Sequence, residues 1–346
     1  MSLVSLAIDL ALLALLSFGQ LGNALYDVTG GPWWARTLVY ALLVLAVMAL
    51  AGLPFAFWRG FVHEHTWGFS TQSFAGWLAD RGKSLAVSLV LAGGALVAFV
   101  AVAHVWTSWW PAVIAAAAAA LVLLVTFVAP LVLEPLFNRF EPLADGELVA
   151  SLKSLGLRAG VPIRQVLVAD ASRRTRKVNA YVSGLGRTRR VVVYDTLLGD
   201  ADPRELHLVV AHELGHRRAN HVAKGTIFGM VEAVVFVLAA WGLLSWSALL
   251  SAIGAAGAGD PRVIPFLLLL GSVLGLATSP LDSALLRGWE RQADAFSLDL
   301  TADPEAFVST HRRLALANLA DLYPPRLAYV FWFSHPTPPE RIANAA

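Results

Sequence analysis

Six stretches of the chain are almost wholly apolar: 3–25, 37–58, 85–106, 109–133, 226–250 and 263–284. Each is long enough to cross a bilayer core as a helix, which takes about 20 residues. The second and fourth contain no charged residue; the first carries Asp9, the third His104, the fifth Glu232, and the sixth Asp282 at its end. Trp33, Trp34, Trp58, Trp106, Trp109 and Trp110 stand at segment ends, where amphipathic rings favour the bilayer interface. The first stretch has no basic n-region and too long an apolar run for a signal peptide, despite the small triplet Gly22-Asn23-Ala24. It is therefore expected to persist as a helix. Asp9, His104 and Glu232 either pair between helices, the preferred reading, or line a wet chamber.

Residues 134–225 break this pattern. Leu148, Leu152 and Leu155 repeat at helical spacing. The runs 163–169, 177–183 and 189–194 are strand-like, the last two forming a hairpin across Ser183-Gly184-Leu185-Gly186. Asp202-Pro203-Arg204-Glu205 announces a helix, with Asp202 as N-cap, Pro203 in the first helical position and Glu205 closing a capping box. No strong breaker follows before Gly225, so this helix is expected to run into the fifth apolar stretch. The expected organisation is four membrane helices over 1–133, a polar segment over 134–225, two membrane helices over 226–284, and a C-terminal segment, 285–346. The fold class is mainly α: a polytopic membrane helix bundle of about six transmembrane helices with a small α+β domain.

Composition sharpens the membrane reading. Only 14% of the 346 residues are charged, against about 25% in soluble domains, and half of those charges fall between Glu134 and Lys224. With the N-terminus inside, Arg36 and Arg262 are the only basic residues left on the outer side, so the polar segment is expected to be cytoplasmic. The Arg-rich, Ala-rich composition suggests a bacterial source, which makes the expected location the cell (inner) membrane. The net charge of +2 comes with no nucleic-acid motif, and nucleic acid is not expected as a partner. Cysteine is absent, so a metal must be held by His and carboxylates.

Such residues occur together in His212-Glu213-Leu214-Gly215-His216, an H-E-x-x-H motif inside the capped helix. Histidines four apart lie about 40° from each other around a helix, so both can reach one ion. Glu213 stands about 100° from His212, placed to act as a base toward water activated by zinc. His221, about 180° from His212 on a continuous helix, reads as a polar residue near the membrane boundary. Glu290 is the better third ligand. Asp294 shares its helical face and can orient a ligand histidine. From spacing alone, a solvated carboxylate pair is an equally good account of these two.

At these residues the chain resembles the type I CaaX prenyl endopeptidase family of membrane zinc metalloproteases. The resemblance runs from Trp67-Gly68-Phe69-Ser70 through Leu136-Phe137-Asn138-Arg139-Phe140, Asn179-Ala180-Tyr181, Val193-Tyr194-Asp195-Thr196-Leu197, the H-E-x-x-H, Glu290 to Asp294, and Ser334-His335-Pro336-Thr337, ending near Arg341. It implies one zinc per chain, held by His212, His216 and Glu290, with Glu213 as catalytic glutamate and Asp294 behind the ligands. It further implies that His335 stabilises the developing oxyanion and that Asn179 contacts substrate backbone. The implied partners are the lipid bilayer and a peptide or membrane-protein substrate, prenylated or not; membrane-protein processing or quality control is the expected setting. Eukaryotic members have seven membrane helices around a chamber. Six are expected here, which leaves closure of a chamber open. The competing readings are an intramembrane protease of the site-2 type, disfavoured by the charges flanking the motif, and a membrane transporter or lipid-binding protein with an inert H-E-x-x-H.

Overall fold

The computed structural model describes residues 3–183, 190–199 and 202–344; the expected turn after Ser183 lies outside them. The chain forms two compact units, Met1–Trp67 with Ser73–Val122 and Phe228–Ala277, and Gly68–Gln72 with Leu123–Ile227 and Thr278–Ala346.

The first unit is helical. Helices α1 (Leu3–Phe18) and α2 (Gln20–Asp27) meet at 64°. They are followed by α3 (Trp33–Thr66) and α4 (Phe74–Val105), and by the parts of α5 (Trp110–Phe137), α8 (His221–Leu244) and α9 (Ile264–Thr301) that fall within the unit's bounds. Among the described residues, five helices are long and apolar enough to cross a membrane, or six if the bent α1–α2 pair counts as one span, in line with the expected number. Tyr40, Val44, Val100, Val237, Ala240 and Ile264 are at most 1% exposed and form its core. Leu123, Leu124, Phe127 and Leu131 instead point outward from α5, as lipid-facing residues do. Much of 59–84, between the second and third apolar stretches, is helical. Ser73 caps the start of α4, its Oγ accepting from the Gly76 N–H at 3.1 Å, and both flanking helices extend through their Arg and Lys residues. Each of α3, α4 and α5 contains a π-helical turn, at Trp58–His63, Leu89–Gly93 and Ala129–Leu133.

The second unit carries a four-stranded sheet in the order β1 (Phe140–Pro142), β2 (Gln165–Ala169), β4 (Arg190–Tyr194), β3 (Ala180–Ser183). The β2 and β4 strands are parallel, and the expected β3–β4 pairing is antiparallel, with Ala180 opposite Val193. Helix α6 (Gly146–Arg158) is capped by Asp145, which accepts from the Glu147 and Leu148 N–H groups. Its Leu152 and Leu155 pack with Val191 and Val193 of the sheet and with Leu206, Val210 and Leu214 of α7 (Pro203–Arg218). All are at most 2% exposed, and full burial of one such side chain contributes roughly 1.5–3 kcal/mol.

Two local expectations are corrected. Asp202 does cap α7 through the Arg204 N–H at 2.9 Å, but Glu205 does not reach back to close a box. Its buried carboxylate instead bonds Ser309 Oγ at 3.0 Å and the Arg313 guanidinium on α10 (Pro304–Ala317), a charged donor being the stronger partner in a buried place. Nor does α7 run on into the membrane helix. It ends at Arg218, Asn220 adopts φ +57°, and α8 starts afresh at His221. Asparagine tolerates the left-handed region far better than most residues, and so it breaks a helix in which no Gly or Pro announced a stop.

Candidate metal centre

Helix α7 carries His212, Glu213 and His216, and α9 carries Glu290 and Asp294. The two helices cross at Gly215, where an added Cβ would come within 3.1 Å of the Ala293 Cα and the Phe296 ring. The absence of a side chain there lets Glu290 approach the histidine pair. The Nε2 atoms of His212 and His216 lie 3.1 Å apart, and the Glu290 carboxylate is 3.4 Å from the first and 3.2 Å from the second. These three side chains form the one group of metal-capable donors found among the described residues. Glu290 Oε2 is buried and faces imidazole nitrogens, 3.4 Å from His212 Nε2 and 2.7 Å from His335 Nδ1.

Behind the donors, Asp294 Oδ1 is 2.8 Å from His212 Nδ1, and Arg341 on α12 (Pro338–Ala343) grips the same carboxylate, with Nε–Oδ2 at 2.8 Å. Burial disfavours a charged His212, but Asp294 and then Glu290 outweigh it and hold its pKa up at about 9. Burial raises the Glu213 carboxyl above its ordinary value, against the pull of His212 and His216 and a hydrogen bond donated by the Val182 N–H.

His335 Nδ1 lies 2.7 Å from Glu290 Oε2. Its segment is held by Arg287 of α9, which donates to the carbonyls of Tyr329 and Phe333 at 3.0 and 2.7 Å; Tyr329 belongs to α11 (Arg326–Trp332). Asn179 immediately precedes β3. Its carbonyl accepts from the Tyr194 N–H at 3.0 Å, so by antiparallel alternation Ala180 and Val182 turn their backbone groups to the free edge of the sheet. Those of Val182 bond Glu213 and Arg217. Asn179, His212, Glu213, Glu290 and His335 all line one cavity of about 520 Å³. Leu197, Leu208, Leu314, Trp332 and Phe333 provide much of its apolar wall, while His216 and Asp294 are not part of it.

Sequence reasoning missed four residues. His221, set aside on the assumption of a continuous helix, comes within 2.9 Å of His216 Nδ1 because α7 breaks. Arg287 and Arg341 carried no local pattern pointing to the site. His311 lies 4.0 Å from Asp294 and donates through Nδ1 to the Phe307 carbonyl at 2.8 Å. Only the position of Arg341, shortly after the Ser334–Thr337 motif, was a signal that could have been followed.

Residues 142–346 match Peptidase family M48, and residues 1–139 match the CAAX prenyl protease N-terminal family, described as five membrane helices. The chain is 30% identical over 313 residues to the "Uncharacterized metalloprotease YhfN" of Bacillus subtilis, covering 90% of this chain and 73% of that protein. It is 28% identical to CAAX prenyl protease 1 of Saccharomyces cerevisiae, covering 89% and 71%. The crystal structure of S. mikatae Ste24p superimposes with a TM-score of 0.85 at 26% identity, covering 95% of this chain and 80% of that one. With its donor cluster, its membrane-spanning helices and this kinship, the chain belongs to peptidase family M48 and is a multi-pass membrane metalloprotease.

Proposed function

We propose that the protein is a zinc endopeptidase whose ligands are His212, His216 and Glu290. The observation that carries this reading is the convergence of the three donors at 3.1–3.4 Å from one another. Two atoms each about 2.0–2.1 Å from a tetrahedral zinc stand about 3.3–3.4 Å apart, and two imidazoles with one carboxylate are a donor set used by zinc hydrolases. Zinc held this way with an open position acidifies water and polarises a carbonyl.

Glu213, its carboxyl raised by burial, takes the proton of the attacking water and delivers it to the leaving amine. His335 supplies a donor to the developing oxyanion. Asn179 and the outward backbone of Ala180 hold an extended peptide against the β3 edge, and the apolar wall receives a hydrophobic side chain beside the scissile bond. Asp294 fixes His212. The family matched over residues 1–139 and the matched Saccharomyces cerevisiae protein are named for CAAX prenyl proteolysis, and a CaaX-like C-terminal peptide is the first substrate class to test; membrane-protein segments are the second.

The decisive experiment measures bound zinc and cleavage of a quenched peptide by the detergent-purified protein and by Glu213→Gln. One zinc per chain and loss of cleavage in the variant are expected; a metal-free wild type or an equally active variant overturns the reading. His335→Ala should lower turnover while keeping zinc. A farnesylated peptide compared with its unmodified twin shows whether a prenyl group is required. The Lys and Arg distribution supports a location of the catalytic segments on the cytoplasmic face of the cell (inner) membrane. Because the chain has no cysteine, a single Arg158→Cys labelled only from the cytoplasmic side supports this, and labelling from outside reverses it.

A further inference from the structure

We infer that His221 is the positioning residue for His216, fixing its tautomer and ring orientation through a hydrogen-bonded relay that ends on Gln292. The inference rests on His216 being a metal ligand, as proposed above.

His216 turns Nε2 toward His212 Nε2 and Glu290, so a metal among these donors is met by that atom and a neutral ring must carry its proton on Nδ1. That Nδ1–H points at His221 Nδ1, 2.9 Å away. Arg217, next in sequence, is engaged with the Val182 carbonyl instead. To accept, His221 must keep Nδ1 bare and place its own proton on Nε2, which lies 2.9 Å from Gln292 Oε1. An amide oxygen only accepts, so the relay closes there and one arrangement of protons satisfies every member. The His221 ring is stacked on Trp289 at 5.0 Å between centroids and 8° between planes, which removes its freedom to turn away.

The two proposed ligand histidines are thus backed differently. His212 leans on a carboxylate, Asp294, whereas His216 leans on a neutral imidazole whose own direction is set by an amide. Partners of this kind fix ligand tautomer and orientation, and their loss typically lowers metal affinity about 10–100-fold. The device exists because of the helix break: a continuous α7 would carry His221 to the far side, and the turn through Asn220 at φ +57° returns it beneath His216.

The test is zinc affinity of the full-length protein in detergent, measured by competition with a chromophoric chelator, with folding followed by thermal unfolding. His221→Phe keeps a flat ring against Trp289 and removes the acceptor; it should bind zinc about 10–100-fold more weakly. His221→Gln restores an acceptor and should recover part of the loss, which a packing role alone would not produce. Gln292→Leu frees the His221 tautomer and should weaken binding by a smaller factor. If His221→Phe binds zinc within about twofold of wild type, the inference fails. If that variant does not fold, Gln292→Leu decides, and unchanged affinity there overturns the relay. His216→Ala is the separate control: if it retains wild-type affinity, the ligand assignment is wrong and not merely its positioning.

Discussion

At the scale of single residues, the buried ion pair behind the donors is the most exacting arrangement in the second unit. Asp294 is 1% exposed and meets both His212 and Arg341. Removing Arg341 leaves the buried Asp294 charge with His212 alone beside it, at a cost of up to about 3 kcal/mol. Arg341→Gln is therefore expected to lower unfolding stability by up to that amount and to loosen His212, seen as weaker zinc retention. An unchanged unfolding midpoint would show that solvent already screens the pair. His311 gives a second residue-level expectation. Burial, aided by Arg341, holds its pKa down at about 4 from 6.5. A group with its folded pKa lowered in this way binds more protons when unfolded, so stability falls as pH drops from about 6.5 toward 4. His311→Gln should flatten the unfolding midpoint over that window, and an identical slope would mean that other groups set it. His311 was not legible beforehand and Arg341 only by its place after Ser334–Thr337: both lie far in sequence from the H-E-x-x-H, and only the packing of α10 and α12 brings them in.

At the scale of elements, α7 was readable from its cap and spacing. Asp202 and Pro203 start the helix, and the four-residue interval puts His212 and His216 on one face. Its end was not readable, because a left-handed Asn is indistinguishable in sequence from a helical one. The crossing with α9 was equally hidden. Gly215 reads as a tolerated weakness in the motif, yet it sits where α9 comes closest. Gly215→Val must force Ala293 and its backbone away. Overpacking of this sort costs about 1–3 kcal/mol; here it should also draw Glu290 from the histidines and abolish stoichiometric zinc. A variant with full zinc and full turnover would show that the crossing is more pliant than its geometry implies. Strands β2, β3 and β4 fell close to their expected places because β-branched runs between polar turns leave little choice.

At the scale of the whole molecule, a ligand that binds only the folded state stabilises it by mass action, by about 2.7 kcal/mol at 100 times its dissociation constant. Exhaustive chelation is expected to lower the thermal midpoint, and stoichiometric zinc to restore it. Indifference to both would separate the metal from the fold. Six apolar stretches by themselves determined a membrane protein that is mainly helical, because no bilayer-crossing segment can leave backbone groups unpaired. The H-E-x-x-H spacing likewise determined that three polar side chains share one turn-and-a-half of helix. Glu290 and Asp294 were expected beside the histidines from the family resemblance, but tertiary structure alone decided that Arg341 lies behind His212 and that His221 lies behind His216. Those relations depend on where α7 stops and on how closely α9 can pass it. A one-residue change of backbone conformation at Asn220 and the missing side chain at Gly215 settle both, and neither leaves a periodic trace in the sequence.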